Sequence, residues 1–231
     1  MIKLISSKVA RILCKDEKHT DNYELYEYAI YIILSSAFHM ATVIVLGLVF
    51  NLLTESLVFY LSFIVIRKFA GGYHAKTPVR CYLFSFVSNI IILCLVKWIN
   101  SINTLFIFIF IIFELLCVVL ILLISPLDTE NNPLTEQEKK IYRMLTSIIS
   151  IFICMTSTLF IFMGYRNIGN SMICGVIMSA LILLMRKIQI INMRVKKGLF
   201  ATLKVNANSS GCYIIYQPKT PKGFEKFKNI K

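Results

Sequence analysis

TLFIFIFIIFELLCVVLILLIS, residues 104–125, is 22 residues long and carries one charge, Glu114. A helix that crosses the hydrocarbon core of a bilayer needs about 20 apolar residues, with a range near 17–25. This stretch meets that length with no amphipathic rhythm, so it reads as a membrane span. The run at 144–163 meets it as well. Four shorter apolar runs, at about 34–51, 56–66, 82–97 and 170–185, reach the length only by borrowing flanking residues. The shortest, 56–66, also fits a half-helix or re-entrant segment.

The composition agrees. The chain is 57% hydrophobic and 16% charged, where soluble domains are roughly 45–50% apolar and about 25% charged. The basic residues then test the number of crossings. Lys and Arg alternate between many and few from one connection to the next, and 23 of the 25 fall on one side of a six-span model. Only Lys97 and Arg166 fall on the other. The positive-inside rule places both termini, the 67–81 connection and the 126–143 connection in the cytoplasm. The expectation is therefore an all-α polytopic membrane protein of about six transmembrane helices with both termini cytoplasmic.

Three regions follow. Residues 1–33 carry Leu4, Ile5, Val9, Ile12 and Leu13 at helical spacing between lysines. They read as amphipathic helices, either lying on the inner membrane face or packed on the bundle. Their scattered charges do not fit a signal peptide. Residues 34–190 form the membrane bundle, and 193–231 a basic tail. The net charge of +13 is accounted for by the cytoplasmic bias. With no basic, aromatic-interleaved soluble domain, a nucleic-acid partner is not expected.

Few groups in the bundle carry chemistry. Cys94, Cys117, Cys154 and Cys174 lie inside apolar runs and read as packing residues. No cysteine spacing suggests a metal or a disulfide framework, and no cofactor is expected. Glu114, His39 and Asn89 are polar groups within apolar runs. Such groups are functional candidates, although helix–helix hydrogen bonding is their commoner use.

RKFAGGYHAKTPVRC, Arg67 to Cys81, separates two apolar runs and is different in kind. The thiolate is the nucleophilic form of cysteine, and helix N-termini and neighbouring cations favour it. Cys81 has Arg80 beside it and begins an apolar run, so a helix should start at or just before it. His74 lies seven residues upstream. On an unbroken helix that is about 10.5 Å, too far for contact. Thr77-Pro78 biases the chain away from continuous helix, and Gly71-Gly72 adds backbone freedom. The loop can fold back and set His74 against Cys81 as a base and nucleophile pair. No third member is evident; Asp128, in the other large cytoplasmic connection, is the candidate orienter. Arg67 and Lys68 either bind the substrate's carbonyl or carboxylate groups or anchor the loop at lipid headgroups.

This stretch resembles the signature of the accessory gene regulator B family, membrane endopeptidases of bacterial peptide quorum sensing, with Arg67, Gly71, Gly72, His74 and Cys81 in register. SPLDTENNPLTEQEKKIYR, Ser125 to Arg143, is similar to that family's second cytoplasmic loop. The resemblance spans about residues 1–190 and implies that His74 and Cys81 are catalytic. It implies cleavage of a precursor peptide on its C-terminal side through an acyl-enzyme thioester. A cysteine of the peptide then closes a thiolactone ring. It also implies residence in the bacterial cell membrane, with the active loop on the cytoplasmic side, and it is compatible with a homodimer.

The tail then gains a meaning. From Met193 to Lys231 it holds nine cations and one acid. Cys212-Tyr-Ile-Ile-Tyr216, followed by Gln217-Pro-Lys, is similar to the precursor peptides of that family. The chain is thus a candidate for an enzyme fused to its own substrate, cut before Gln217, with a shorter ring ending at Ile215 left open. The removed segment is basic where the family's is acidic, and the leader is short. A non-enzymatic peptide transporter or exporter is the alternative class. It would call for polar residues lining several spans, and only Glu114 lies near a midplane.

Overall fold

The computed structural model describes residues 2–13, 23–72, 77–100, 104–127 and 134–208. His74, Asp128, Cys212, Tyr216 and Gln217 lie outside the described residues. The described residues form seven helices and no strand: α1 (Ile2–Leu13), α2 (Tyr23–Val49), α3 (Leu53–Ala70), α4 (Pro78–Asn100), α5 (Thr104–Ile124), α6 (Glu136–Phe162) and α7 (Arg166–Asn208). By contacts the chain divides into Met1–Leu183 and Leu184–Lys231. The described part of the second unit is the rest of α7, where Arg186 Nη1 donates to Gln189 Oε1 at 2.9 Å.

Five helices, α2, α4, α5, α6 and α7, are long and apolar enough to cross a membrane. α3 falls short because Glu55, Arg67 and Lys68 all lie within its 18 residues. The all-helical polytopic class therefore stands, with five spans by this measure against about six expected. The difference falls on the run at 56–66. Side chains such as Ile109, Ile112, Leu116 and Leu123 of α5 are exposed. An apolar exterior of this kind suits lipid rather than water.

α1 packs on the protein through its small residues. Ser6 and Ala10 are fully buried, and the Tyr23 hydroxyl donates to the Ser7 carbonyl at 3.4 Å. The apolar stripe of Leu4, Ile5, Val9, Ile12 and Leu13 stays exposed. Small residues thus seat the helix on the protein, and the stripe remains available to a bilayer surface.

The core of the first unit is built around α3 and α7. Ile66 and Ala70 of α3 pack with Cys117, Val118 and Ile121 of α5, with Ile153 and Cys154 of α6, and with Val176, Ala180 and Leu183 of α7. A second cluster joins Phe59 of α3 to Ile92, Val96 and Ile99 of α4 and Cys174 of α7. Small residues let these helices approach. A Cβ on Gly175 would lie 2.8 Å from Ser62 Cβ, and one on Gly47 2.9 Å from Leu53 Cα. Glu114 is fully buried and accepts from Ser157 Oγ of α6, 2.9 Å from each carboxylate oxygen. It bonds helix to helix.

Candidate functional site at the start of α4

α4 opens where its sequence permits. Pro78 takes the first helical position, which needs no N–H donor and suits its fixed φ. Thr77 precedes it as the cap: the Arg80 N–H donates to Thr77 Oγ1 at 3.4 Å. The Cys81 N–H donates to the Thr77 carbonyl at 3.1 Å, so Cys81 lies in the first turn. Its thiol is free and half-buried.

α3 ends against a second connection. The Gly71 N–H closes the helix on the Arg67 carbonyl at 3.1 Å. The Leu127 N–H donates to the Ala70 carbonyl, also at 3.1 Å. Gly71 has φ +78°, and a Cβ there would lie 2.7 Å from the Leu127 oxygen. Gly72 has φ +149°, and its Cβ would lie 2.7 Å from Ile182 Cγ2. Both positions are glycine for two reasons, an unusual backbone and no room. Gly71 and Gly72 are thereby packed against Leu127 and Ile182.

Cys81 lines a cavity of about 330 Å³ between α2, α3, α4 and α7. Arg67 and His39 line the same cavity. The Arg67 guanidinium lies 5.6 Å from the Phe63 ring centroid, a cation–π contact. It lines the cavity together with Cys81, Tyr60 and His39. Lys68 goes elsewhere: it is exposed, with its ammonium 5.6 Å from the Phe69 ring. The two adjacent cations therefore have different settings, and only Arg67 faces Cys81.

Tyr82 forms a wall beside the thiol. Its ring lies 5.0 Å from Phe38 and 5.4 Å from His39, and its hydroxyl is 3.1 Å from Thr42 Oγ1. His39 and Tyr82 also line a larger groove of about 980 Å³ with Glu24 and Glu27. His39 and Asn89 were legible only as polar residues in apolar runs. The usable signal was their stripe: Ser36, His39 and Val43 on α2, and Cys81, Ser85 and Asn89 on α4, recur at helical spacing and all line the cavity. Among the described residues no cluster of side chains could hold a metal ion.

The accessory gene regulator B family model matches residues 6–190. The chain belongs to that family. The match takes in α2 to α6, the first half of α7, and the Arg67–Cys81 segment. Among curated relatives, an AgrB-like protein of Clostridium perfringens (strain SM101 / Type A) is 27% identical over 183 residues, 78% of this chain and 84% of that protein. A second AgrB-like protein, from C. perfringens (strain 13 / Type A), is 30% identical over 141 residues, 60% of this chain and 64% of its own length. Protein FsrB of Enterococcus faecalis (strain ATCC 47077 / OG1RF) is 27% identical over 158 residues, 68% of this chain and 63% of that one. No solved structure matches.

Proposed function

We propose that this member of the family processes a quorum-sensing precursor peptide as a membrane cysteine endopeptidase, and that it closes the peptide into a thiolactone. The observation that carries this reading is the setting of Cys81. It lies in the first turn of a helix, half-buried, on a cavity that it shares with the Arg67 guanidinium. A helix N-terminus and a guanidinium beside the cavity can stabilise negative charge that develops there during reaction.

The steps balance without a co-reactant. The Cys81 thiolate adds to the carbonyl carbon of the scissile amide, and Arg67 takes the oxyanion charge. Collapse breaks the C–N bond. The leaving amine takes its proton from the His74 imidazolium, which gained that proton from the thiol. A cysteine of the bound peptide gives its thiol proton to the now neutral His74, and its thiolate adds to the thioester carbonyl. The new C–S bond replaces the bond to Cys81, which leaves as thiolate. One thioester replaces another, so acyl activation survives only where water is kept away. Asp128 serves as orienter of His74, a role supported by the bond that ties the preceding Leu127 to Ala70.

The substrate in this reading is the chain's own tail, with Cys212 as the ring thiol and cleavage between Tyr216 and Gln217. Fusion supplies one substrate per enzyme, to Cys81 of the same chain or of a neighbouring copy. In this reading the Cys81 end faces the cytoplasm, the side that the positive-inside rule favours for its cations.

The test is mass spectrometry of the full chain in lipid vesicles. Cys81→Ala should release no C-terminal fragment. Persistent cleavage would remove Cys81 from the nucleophile's place. Cys212→Ala should still release the fragment but yield a linear product, and undiminished thiolactone from that variant would refute the fused substrate.

A further inference from the structure

Asn89 lies two turns along α4 from Cys81, on the wall of the same cavity, and is 8% exposed. Its Nδ2 donates to the Ser85 carbonyl at 2.9 Å. That bond settles the amide's orientation, because the reverse would set two acceptors face to face. Asn89 Oδ1 is then left without a donor from the protein. The cavity also carries apolar Phe59, Phe63, Met178 and Ile182 and the hydroxyls of Tyr60, Ser85 and Ser88, and none of these donates to Oδ1. A buried acceptor in such surroundings asks for a donor, and the cavity opens onto the nucleophile.

We propose that this cavity is the subsite for the residue whose carbonyl Cys81 takes, and that Asn89 Oδ1 selects a tyrosine there by accepting from its phenol. This rests on the endopeptidase reading and names its specificity. From Cys81 to Asn89 the helix rises about 12 Å, and helical side chains lean back towards the N-terminus. A tyrosyl group held by its carbonyl on Cys81 Sγ runs along that path with its ring among the aromatic and aliphatic side chains. Its hydroxyl is then the end of the group nearest the acceptor. A volume of about 330 Å³ is at the small end of ligand sites, about 300–1,000 Å³. It suits one large side chain rather than a whole macrocycle. The consequence bears on the cut site. Tyr216 carries the donor and Ile215 does not, so the ring ends at Tyr216.

The experiment follows release of the C-terminal fragment from the full chain in vesicles, with Tyr216→Phe, Asn89→Leu and the double variant. Tyr216→Phe removes one hydroxyl from the tail and leaves the membrane helices untouched. It should slow release about tenfold, the worth of one hydrogen bond to a buried partner. Asn89→Leu should slow release from the unaltered tail by a similar factor. In the double variant the two losses should not multiply. Equal rates for Tyr216 and Tyr216→Phe tails, fully multiplicative losses, or a cut after Ile215 would each overturn the subsite. If the unaltered chain releases no fragment at all, the fused-substrate reading falls and takes the subsite with it. Cleavage of the parent without coupling removes the subsite alone.

Discussion

Gly71 offers the sharpest test of how the site is held. Its backbone has φ +78° and ψ −158°, a region that is essentially glycine-only and costs other residues about 1–3 kcal/mol. A Cβ would also lie 2.7 Å from the Leu127 oxygen, so Gly71→Ala must push that peptide aside. The bond from the Leu127 N–H to the Ala70 carbonyl is then at risk, for about another 1 kcal/mol. The expected loss is about 2–4 kcal/mol. Each kcal/mol lowers the melting temperature of a chain this size by about 2–4 °C. Activity should fall further than stability, because a displacement of about 1 Å in a positioned group costs about a hundredfold. Gly164→Ala is the control. Its φ is +92°, but nothing lies within 4 Å of the added Cβ. It should bear the backbone strain, about 1–2 kcal/mol, and keep its activity at temperatures where it is folded. The assay pairs thermal unfolding in detergent with fragment release in vesicles at a temperature where both variants are folded. If Gly71→Ala stays within threefold of the parent, or Gly164→Ala loses as much, the clasp between α3 and residue 127 does not position the site.

Arg67 and Lys68 should separate cleanly. Arg67→Ala is expected to reduce fragment release by at least a hundredfold, the scale of losing an oxyanion donor, whereas Lys68→Ala should change it by less than about threefold; equal losses in the same vesicle assay would assign both to membrane anchoring. Ser157→Ala leaves the buried Glu114 carboxyl without its hydroxyl partner across α5 and α6. It should destabilise by about 1–3 kcal/mol with little change in the rate of release from folded protein, as read by thermal unfolding. A large kinetic loss at unchanged stability would make Glu114 a participant in the chemistry. Thr135→Ala breaks the capping box that opens α6, in which Thr135 and Glu138 satisfy each other's backbone N–H groups. It should cost about 1 kcal/mol by the same measurement, and no loss would show that the α6 start is held by its packing instead.

The membrane class was legible wherever apolar length alone decides the matter, as at Thr104–Ile124. It was less legible at helix ends. α2 begins at Tyr23, well before the apolar run at 34–51, because Glu24 and Glu27 dilute hydropathy without opposing helix. α7 continues past Arg186 to Asn208 for the same reason: its lysines lower hydropathy yet are good helix formers. Cys81 and Arg67 could be read from one local segment, because their chemistry depends on the turn that the segment makes. The cavity could not. Its walls come from four helices whose crossing is set by small residues such as Gly47 and Gly175, and composition does not say which faces meet. The bond between Leu127 and Ala70 spans two connections and has no local signature at all.

A thioester that must last until an internal thiol arrives sets two demands on the protein around it. The thiol must be near, and water must be scarce. Fusion answers the first with one thiol per enzyme, far scarcer than water, so the second demand dominates. The setting of Cys81 is suited to it. The residue stands in the first turn of an apolar helix capped by Thr77. It lines a cavity walled by Phe59, Phe63, Met178 and Ile182 together with the Arg67 guanidinium. In the proposed mechanism Arg67 stabilises the oxyanions of both acyl transfers, and the apolar walls hold the acyl group dry between them. A soluble protein would need a lid to obtain that contrast. Here the same residues that make the chain a membrane protein supply it.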